Sequence, residues 1–338
     1  MPLILTRPEV LGIYAEAAQQ RWVHPSFSTE NLTTTEAILA GALAHSRRIG
    51  QPDFPITIAL THRYPERPQS VAYSPTGDPV MGMRLFHADL RTLTGPDSPY
   101  ARLRVLVHLD HGQIDADADA LDSPAGVFSS VMFDASVLPF EENIEATRRY
   151  VERHRHEIVI EGACDTIAHV GESGSTPCTA PEDAERYFRD TGVDWMVANL
   201  GTEHRAGVAK LSYRDDVARE INRRIGPRLS LHGTSSVLPE RLGRLFEDGV
   251  GKANFWTALE RDSSAKLLTA MVEHAAECAG PTAASSLQKR GLLGSQADVS
   301  HAASIDYCTT RYRQALVFDS MKAIVESFLT LWCPARGS

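Results

Sequence analysis

Two histidines and an aspartate fall within four positions of "VLVHLDHG" (105–112), where an apolar run ends: His108, Asp110 and His111. Further along, His204 closes "VANLGTEH" and His232 stands in "LSLHGTSS", each again at the end of a strand-like run or just past it. Neutral imidazoles are ligands for divalent cations, and three of them from separate strand ends make a zinc set that keeps one position open for a substrate oxygen. A carboxylate beside such a set can carry a proton to or from a substrate hydroxyl. Taken singly, each histidine equally fits a hydrogen-bonded core or rim residue. Their joint placement favours the metal.

That placement depends on the elements that carry them. Short β-rich runs alternate with stretches of helical period, the pattern of parallel βα units. Strands are predicted at 22–27, 56–61, 103–108, 129–134, 158–162, 194–199, 228–232 and 251–256, and amphipathic helices at 141–155, 182–190, 213–225 and 238–247. Eight strands separated by helices in 338 residues predict an α/β fold, a (β/α)8 TIM barrel in one domain, whose catalytic groups gather at the strand C-termini. Residues 65–100, rich in Pro, Gly, Ser and Asp, read as a long irregular excursion over that face. Residues 281–304 read as a mobile connection before a long C-terminal helix at 306–332.

Composition narrows the function. With 43% hydrophobic and 23% charged residues the chain reads as globular, and a net charge of −9 without any Lys/Arg-rich run argues against nucleic acid as a partner. No apolar stretch reaches the ~18 residues of a membrane span. The opening "MPLILTRPEV" lacks the basic start and apolar core of a signal peptide, so a cytoplasmic protein without a membrane partner is expected. Five scattered cysteines with no CxxC pair read as free thiols. The charged "RRYVERHRHE" (148–157) reads as a solvated helix face.

The motifs "HLDHG" (108–112), "SVMFDAS" (130–136) followed by "PFEENIEATRRYV", "TGVDWMVANLGTEH" (191–204), "LHGTSS" (231–236) and "GVGKANFWT" (249–257) occur in this order from about residue 20 onward. In this the chain resembles the class II, zinc-dependent fructose-bisphosphate and tagatose-bisphosphate aldolases. The resemblance implies zinc held by His111, His204 and His232, with Asp110 as the proton-transferring carboxylate, and an enediolate formed from a ketose by cleavage of a carbon–carbon bond. Gly233 and Ser235 match the family's glycine and serine after the last zinc histidine, Asn254 and Thr257 its asparagine and threonine after the eighth strand, and Thr61 the position of a frequent serine. Asn31 joins them as a substrate-binding candidate. The resemblance also implies a monovalent cation near the anion site and self-association as a homodimer or homotetramer.

Departures from the pattern bear on the substrate. Arg205 stands where the family has the glycine that lets the backbone approach phosphate, and Arg205 thereby becomes a substrate-binding candidate itself. Trp256 replaces a frequent aspartate, and "EGACD" keeps Glu161 but puts Ala163 in place of the second glutamate. In the loop that carries a proton-transferring glutamate, "HVGESGS" offers Glu172, about one position out of register, as the catalytic candidate. The expected function is a zinc-dependent aldolase acting on a ketose, ketose phosphate or related hydroxyketone other than fructose 1,6-bisphosphate. A metal-dependent epimerase or isomerase using the same enediolate, and a non-catalytic interaction or regulatory protein, are the alternatives.

Overall fold

A computed structural model describes residues 3–166, 177–202 and 213–335. His204, Arg205 and Glu172 lie outside the described residues. Eight strands, β1 (His24–Ser28), β2 (Pro55–Thr61), β3 (Arg104–Gln113), β4 (Ser130–Asp134), β5 (Val159–Ala163), β6 (Trp195–Val197), β7 (Leu229–Leu231) and β8 (Val250–Phe255), close in chain order into a barrel. All pairings are parallel, and β1 closes the ring by pairing His24 with Lys252 and Phe27 with Phe255. This is the predicted (β/α)8 architecture.

The strands alternate between two environments. Ile56, Ile58 and Leu60 on β2, Val105, Val107 and Leu109 on β3, and Val131 and Phe133 on β4 join the large apolar core under the surrounding helices. The intervening positions are largely polar and reach across the lumen, because Lys252 of β8 contacts Glu161 of β5 and His108 of β3, which are not its neighbours in the sheet. A lumen lined this way is packed with hydrogen-bonded side chains and forms a floor beneath the strand ends. The opposite mouth is stoppered by the helix Arg7–Gln19, whose Val10, Ile13 and Tyr14 pack with Leu106, Val159 and Trp195. Arg7 locks that helix in place by donating from Nη1 and Nη2 to the two oxygens of Asp194, each at 2.6 Å.

Three stretches differ from the sequence expectation. Residues 65–100 hold a 15-residue helix, Pro79–Leu93, whose cap Asp78 accepts the Met81 amide at 2.8 Å. Pro79 occupies the first turn, where its missing N–H costs nothing, so the Pro and Gly that suggested irregularity only punctuate a capped helix. The 281–304 connection likewise begins with a helix, Pro281–Lys289, and at 238–247 only the turn Pro239–Leu242 is helical. The last helix, Thr310–Trp332, packs on Leu32–Ile49 so closely that a Cβ at Gly41 would lie 2.7 Å from Val325 Cγ1. His154, the last residue of the helix Phe140–His154, is buried against Tyr150 with ring centroids 4.7 Å apart, so this helix is solvated on one side only.

Candidate active site

In a regular strand, adjacent residues face opposite ways, so Asp110 and His111 could not both enter one site. β3 solves this with a bulge: Leu109 pairs with Val131 and Gly112 with Phe133, leaving Asp110 and His111 together opposite Met132. His111 takes a left-handed backbone, φ 49°, which costs a non-glycine residue about 1 kcal/mol. The result is a buried group in which ligand atoms of Asp110, His111 and His232 lie within 4.8 Å of one another.

Each member is held by named partners. His111 Nδ1 lies 2.7 Å from Oδ2 of Asp134, at the end of β4, and its ring stacks on Tyr64 at 4.4 Å and meets the His232 ring edge-on at 5.0 Å. Asp134 in turn accepts the Ser136 amide at 3.1 Å and hydroxyl at 2.7 Å on its other oxygen. His232 follows β7, and its Nε2 lies 3.1 Å from Glu161 Oε1 and 2.9 Å from Asn254 Nδ2. Asn254 Nδ2 also donates to Asp110 Oδ1 at 3.1 Å, and Ser28 Oγ donates to Asp110 Oδ2 at 3.5 Å. Beneath them, Lys252 Nζ donates to Glu161 Oε2 at 2.6 Å and lies 3.2 Å from His108 Nε2, whose Nδ1 is 2.8 Å from Ser130 Oγ.

These contacts set the charges. Burial pushes the Asp110 carboxyl up, but His111, then His232, His108 and Lys252, outweigh it and hold the group below the ordinary carboxylate range. Burial likewise opposes ionisation of Asp134, yet the hydrogen bond and charge of His111, with help from Ser136, bring it down to about 2. Burial disfavours the charged imidazole of His108, with Lys252 as the next cause, and lowers it to about 3, so His108 is neutral at physiological pH. Burial also opposes ionisation of Glu161, but Lys252 first, and then the His232 hydrogen bond, hold that carboxyl well below the ordinary range.

The cleft above the group is lined by Thr61, Gly233, Ser235, Asn254 and Thr257, together with Asp110, His111 and His232. Gly233 has φ 67°, a left-handed turn that glycine adopts without strain, and it leads into the single turn Thr234–Ser236. The Thr61 hydroxyl is engaged by its own loop: it donates to the Arg67 carbonyl and accepts the Gln69 amide at 3.0 Å. Asn31 lies outside the cleft lining and caps the helix Leu32–Ile49, its Oδ1 accepting the Thr34 amide at 2.9 Å. Sequence reasoning assigned no role to Asp134, Tyr64, Arg67, Ser28 or Lys252. Asp134 was legible as a strand-end carboxylate in "SVMFDAS"; the others become visible only when the barrel closes.

A family model described as class II fructose-bisphosphate aldolase matches residues 9–322. The chain belongs to the class II fructose-bisphosphate aldolase family. Similar proteins include a 6-phospho-5-dehydro-2-deoxy-D-gluconate aldolase of Shouchella clausii, 30% identical over 72% of this chain and 77% of the relative. A D-tagatose-1,6-bisphosphate aldolase subunit of Klebsiella oxytoca is 29% identical over 70% of this chain and 76% of its own length. With a fructose-bisphosphate aldolase of Treponema pallidum, 32% identical, the match covers 44% of this chain and 52% of the relative, about half its length. In fold, the chain superposes on a fructose-bisphosphate aldolase of Campylobacter jejuni with a TM-score of 0.70 at 16% identity, over 98% and 96% of the two chains.

Class II aldolases are typically metal-dependent, and the donors here suit a divalent ion. Two buried imidazoles, His111 of β3 and His232 after β7, converge with the Asp110 carboxylate beside them, and Asp134 fixes His111 so that Nε2 is the ring atom able to ligate. No helix among the described residues is long and apolar enough to cross a membrane.

Proposed function

We propose that this aldolase cleaves and forms a carbon–carbon bond in a ketose, ketose phosphate or related hydroxyketone, with zinc as its metal. The observation that carries this reading is the convergence of Asp110, His111 and His232 at the strand ends, with Asp134 orienting the imidazole. A zinc ion held by His111, His232 and His204 would supply Lewis-acid polarisation of the substrate carbonyl. Asp110, ionised and fastened by Asn254 and Ser28, takes the proton from the hydroxyl whose carbon becomes the aldehyde, and returns it in the condensation direction. Asn254 keeps a buried Oδ1 with no hydrogen-bond partner in the same cleft, an acceptor suited to a substrate hydroxyl. Lys252, in contact with His108, acts from below by holding Glu161, and through it His232. Glu172 remains the loop candidate for the second proton transfer.

Substrate choice differs from that of fructose-bisphosphate enzymes on this reading. Trp256 lines the cleft with Arg67 over its ring, which leaves a different cavity from the one a small aspartate would leave. Elemental analysis followed by a screen of ketose phosphates and free ketoses for aldehyde release tests the proposal. About one zinc per chain with aldehyde release supports it. A ketose isomer formed without aldehyde would instead indicate the epimerase or isomerase, and a protein with neither metal nor turnover would overturn it.

A further inference from the structure

The loop after β2 sends two side chains into the cleft. Tyr64 stacks on His111, and Arg67 lies with its guanidinium 4.7 Å from the centroid of the Trp256 ring. On one edge of that guanidinium, Nε donates to Glu30 Oε2 at 3.0 Å and Nη2 reaches the same oxygen. The backbone at Arg67 is also pinned, because its carbonyl accepts the Thr61 hydroxyl while Thr61 N donates to Gln69 Oε1 at 2.9 Å. Arg67 and Trp256 line the same cleft as Asp110, His111 and His232.

A guanidinium has five N–H donors in a rigid plane, and Glu30 takes only two of them. With one face on an indole and one edge on a carboxylate, part of the arginine's rotamer freedom is lost before any ligand arrives. Glu260, which feels both Glu30 and Arg67, is pushed up to about 7 by burial and then by Glu30.

We infer that Arg67 is a specificity-determining residue that reads a planar or tetrahedral oxyanion, a carboxylate or a phosphate, at one end of the substrate chain. The inference rests on the aldolase reading above and deepens it by naming an anionic end group. Bidentate recognition by a held arginine is worth more than contact with a free lysine, because both N–H bonds form without further ordering. Trp256, which sets this chain apart from its relatives' pattern, becomes the platform that holds the arginine in place.

Condensation of dihydroxyacetone phosphate with three aldehydes differing at one end tests it: glyceraldehyde, glyceraldehyde 3-phosphate and tartronate semialdehyde, the carboxylate counterpart. The zinc-loaded protein is expected to favour one anionic aldehyde over glyceraldehyde by about tenfold or more in kcat/KM. Arg67→Met should abolish that ratio, and Arg67→Lys should restore only part of it. The favoured aldehyde distinguishes phosphate from carboxylate. If the acceptor ratio is unchanged while the KM for dihydroxyacetone phosphate rises about tenfold, the oxyanion read is the donor's own phosphate. Uniform losses across all three aldehydes with an unmoved donor KM would overturn the inference. Titration with inorganic phosphate and with malonate, followed by tryptophan fluorescence with Trp256→Phe to identify the reporter, reads the site without turnover. Arg67-dependent anion binding in a protein that condenses nothing keeps the oxyanion site and removes the aldolase reading. Condensation without Arg67 dependence in either measurement removes the site and keeps the aldolase.

Discussion

Asp134 and His111 face each other from the ends of neighbouring strands, with Oδ2 and Nδ1 2.7 Å apart. This contact fixes both the tautomer and the tilt of an imidazole that sits in strained backbone at a bulge. Asp134→Asn should therefore weaken metal binding by about 10 to 100-fold while leaving the barrel folded, the usual effect of losing an orienting carboxylate behind a ligand histidine. Chelator competition measures it; unchanged affinity would show that the bulge alone holds the ring.

Replacing His111, His204 or His232 with Ala should leave a folded protein with weakened metal binding, because the core beneath is continuous without the site. Circular dichroism paired with elemental analysis separates the two effects. Full metal content in all three variants would contradict the assignment of ligands.

Asp110→Asn should retain the metal and slow catalysis by a factor on the order of 10² to 10⁴, the range for a positioned acid or base. The isosteric amide preserves packing against Ser28 and Asn254, so the loss should fall on kcat more than on KM. Normal turnover by this variant would assign the proton to another group.

Stability should fall as the pH drops below 6.5. Burial is the main cause that lowers His24 to about 3, and His45 and His87 to about 4, so these rings stay neutral in the fold. The unfolded chain takes up their protons near 6.5, and the difference destabilises the fold progressively between that pH and the lowered values. Glu260, raised to about 7, works in the opposite sense, costing stability as pH rises from its ordinary 4.5, but His24, His45, His87 and His108 together outnumber it. Urea unfolding at pH 7 and pH 5 should show the loss, and His87→Leu should make the acid limb shallower; an unchanged slope would mean that His87 titrates normally.

Fructose 1,6-bisphosphate should be a poor substrate of the fully zinc-loaded protein, since the Trp256 ring reshapes the cleft wall and an oxyanion held by Arg67 belongs to a chain of different end group or stereochemistry. A kcat/KM at or above ~10⁴ M⁻¹s⁻¹, the lower end for enzymes on their own substrates, would show that the two side chains leave the bisphosphate pocket usable.

The sequence by itself carried the architecture and singled out three residues, Asp110, His111 and His232, that the barrel brings together. Eight β-rich runs spaced by helical ones admit few arrangements besides a parallel barrel, and polar residues such as Asp110, His111 and His232 at the ends of those runs are conspicuous because burying them without a role is expensive. Order along the chain even carried the family. Tertiary structure decided what order cannot encode. The helix Pro79–Leu93 was hidden by its flanking Pro and Gly until its cap was visible. Adjacent Asp110 and His111 share a site only because β3 bulges, a register shift that no periodicity announces. Lys252 lies 144 residues from His108 in the chain and pairs with Glu161 across the lumen, while Arg67 finds its platform on Trp256 from a different loop. Such contacts depend on which strands end at the same height around a closed ring, and that height is set by strand register and tilt, quantities that exist only once every strand has found its neighbour.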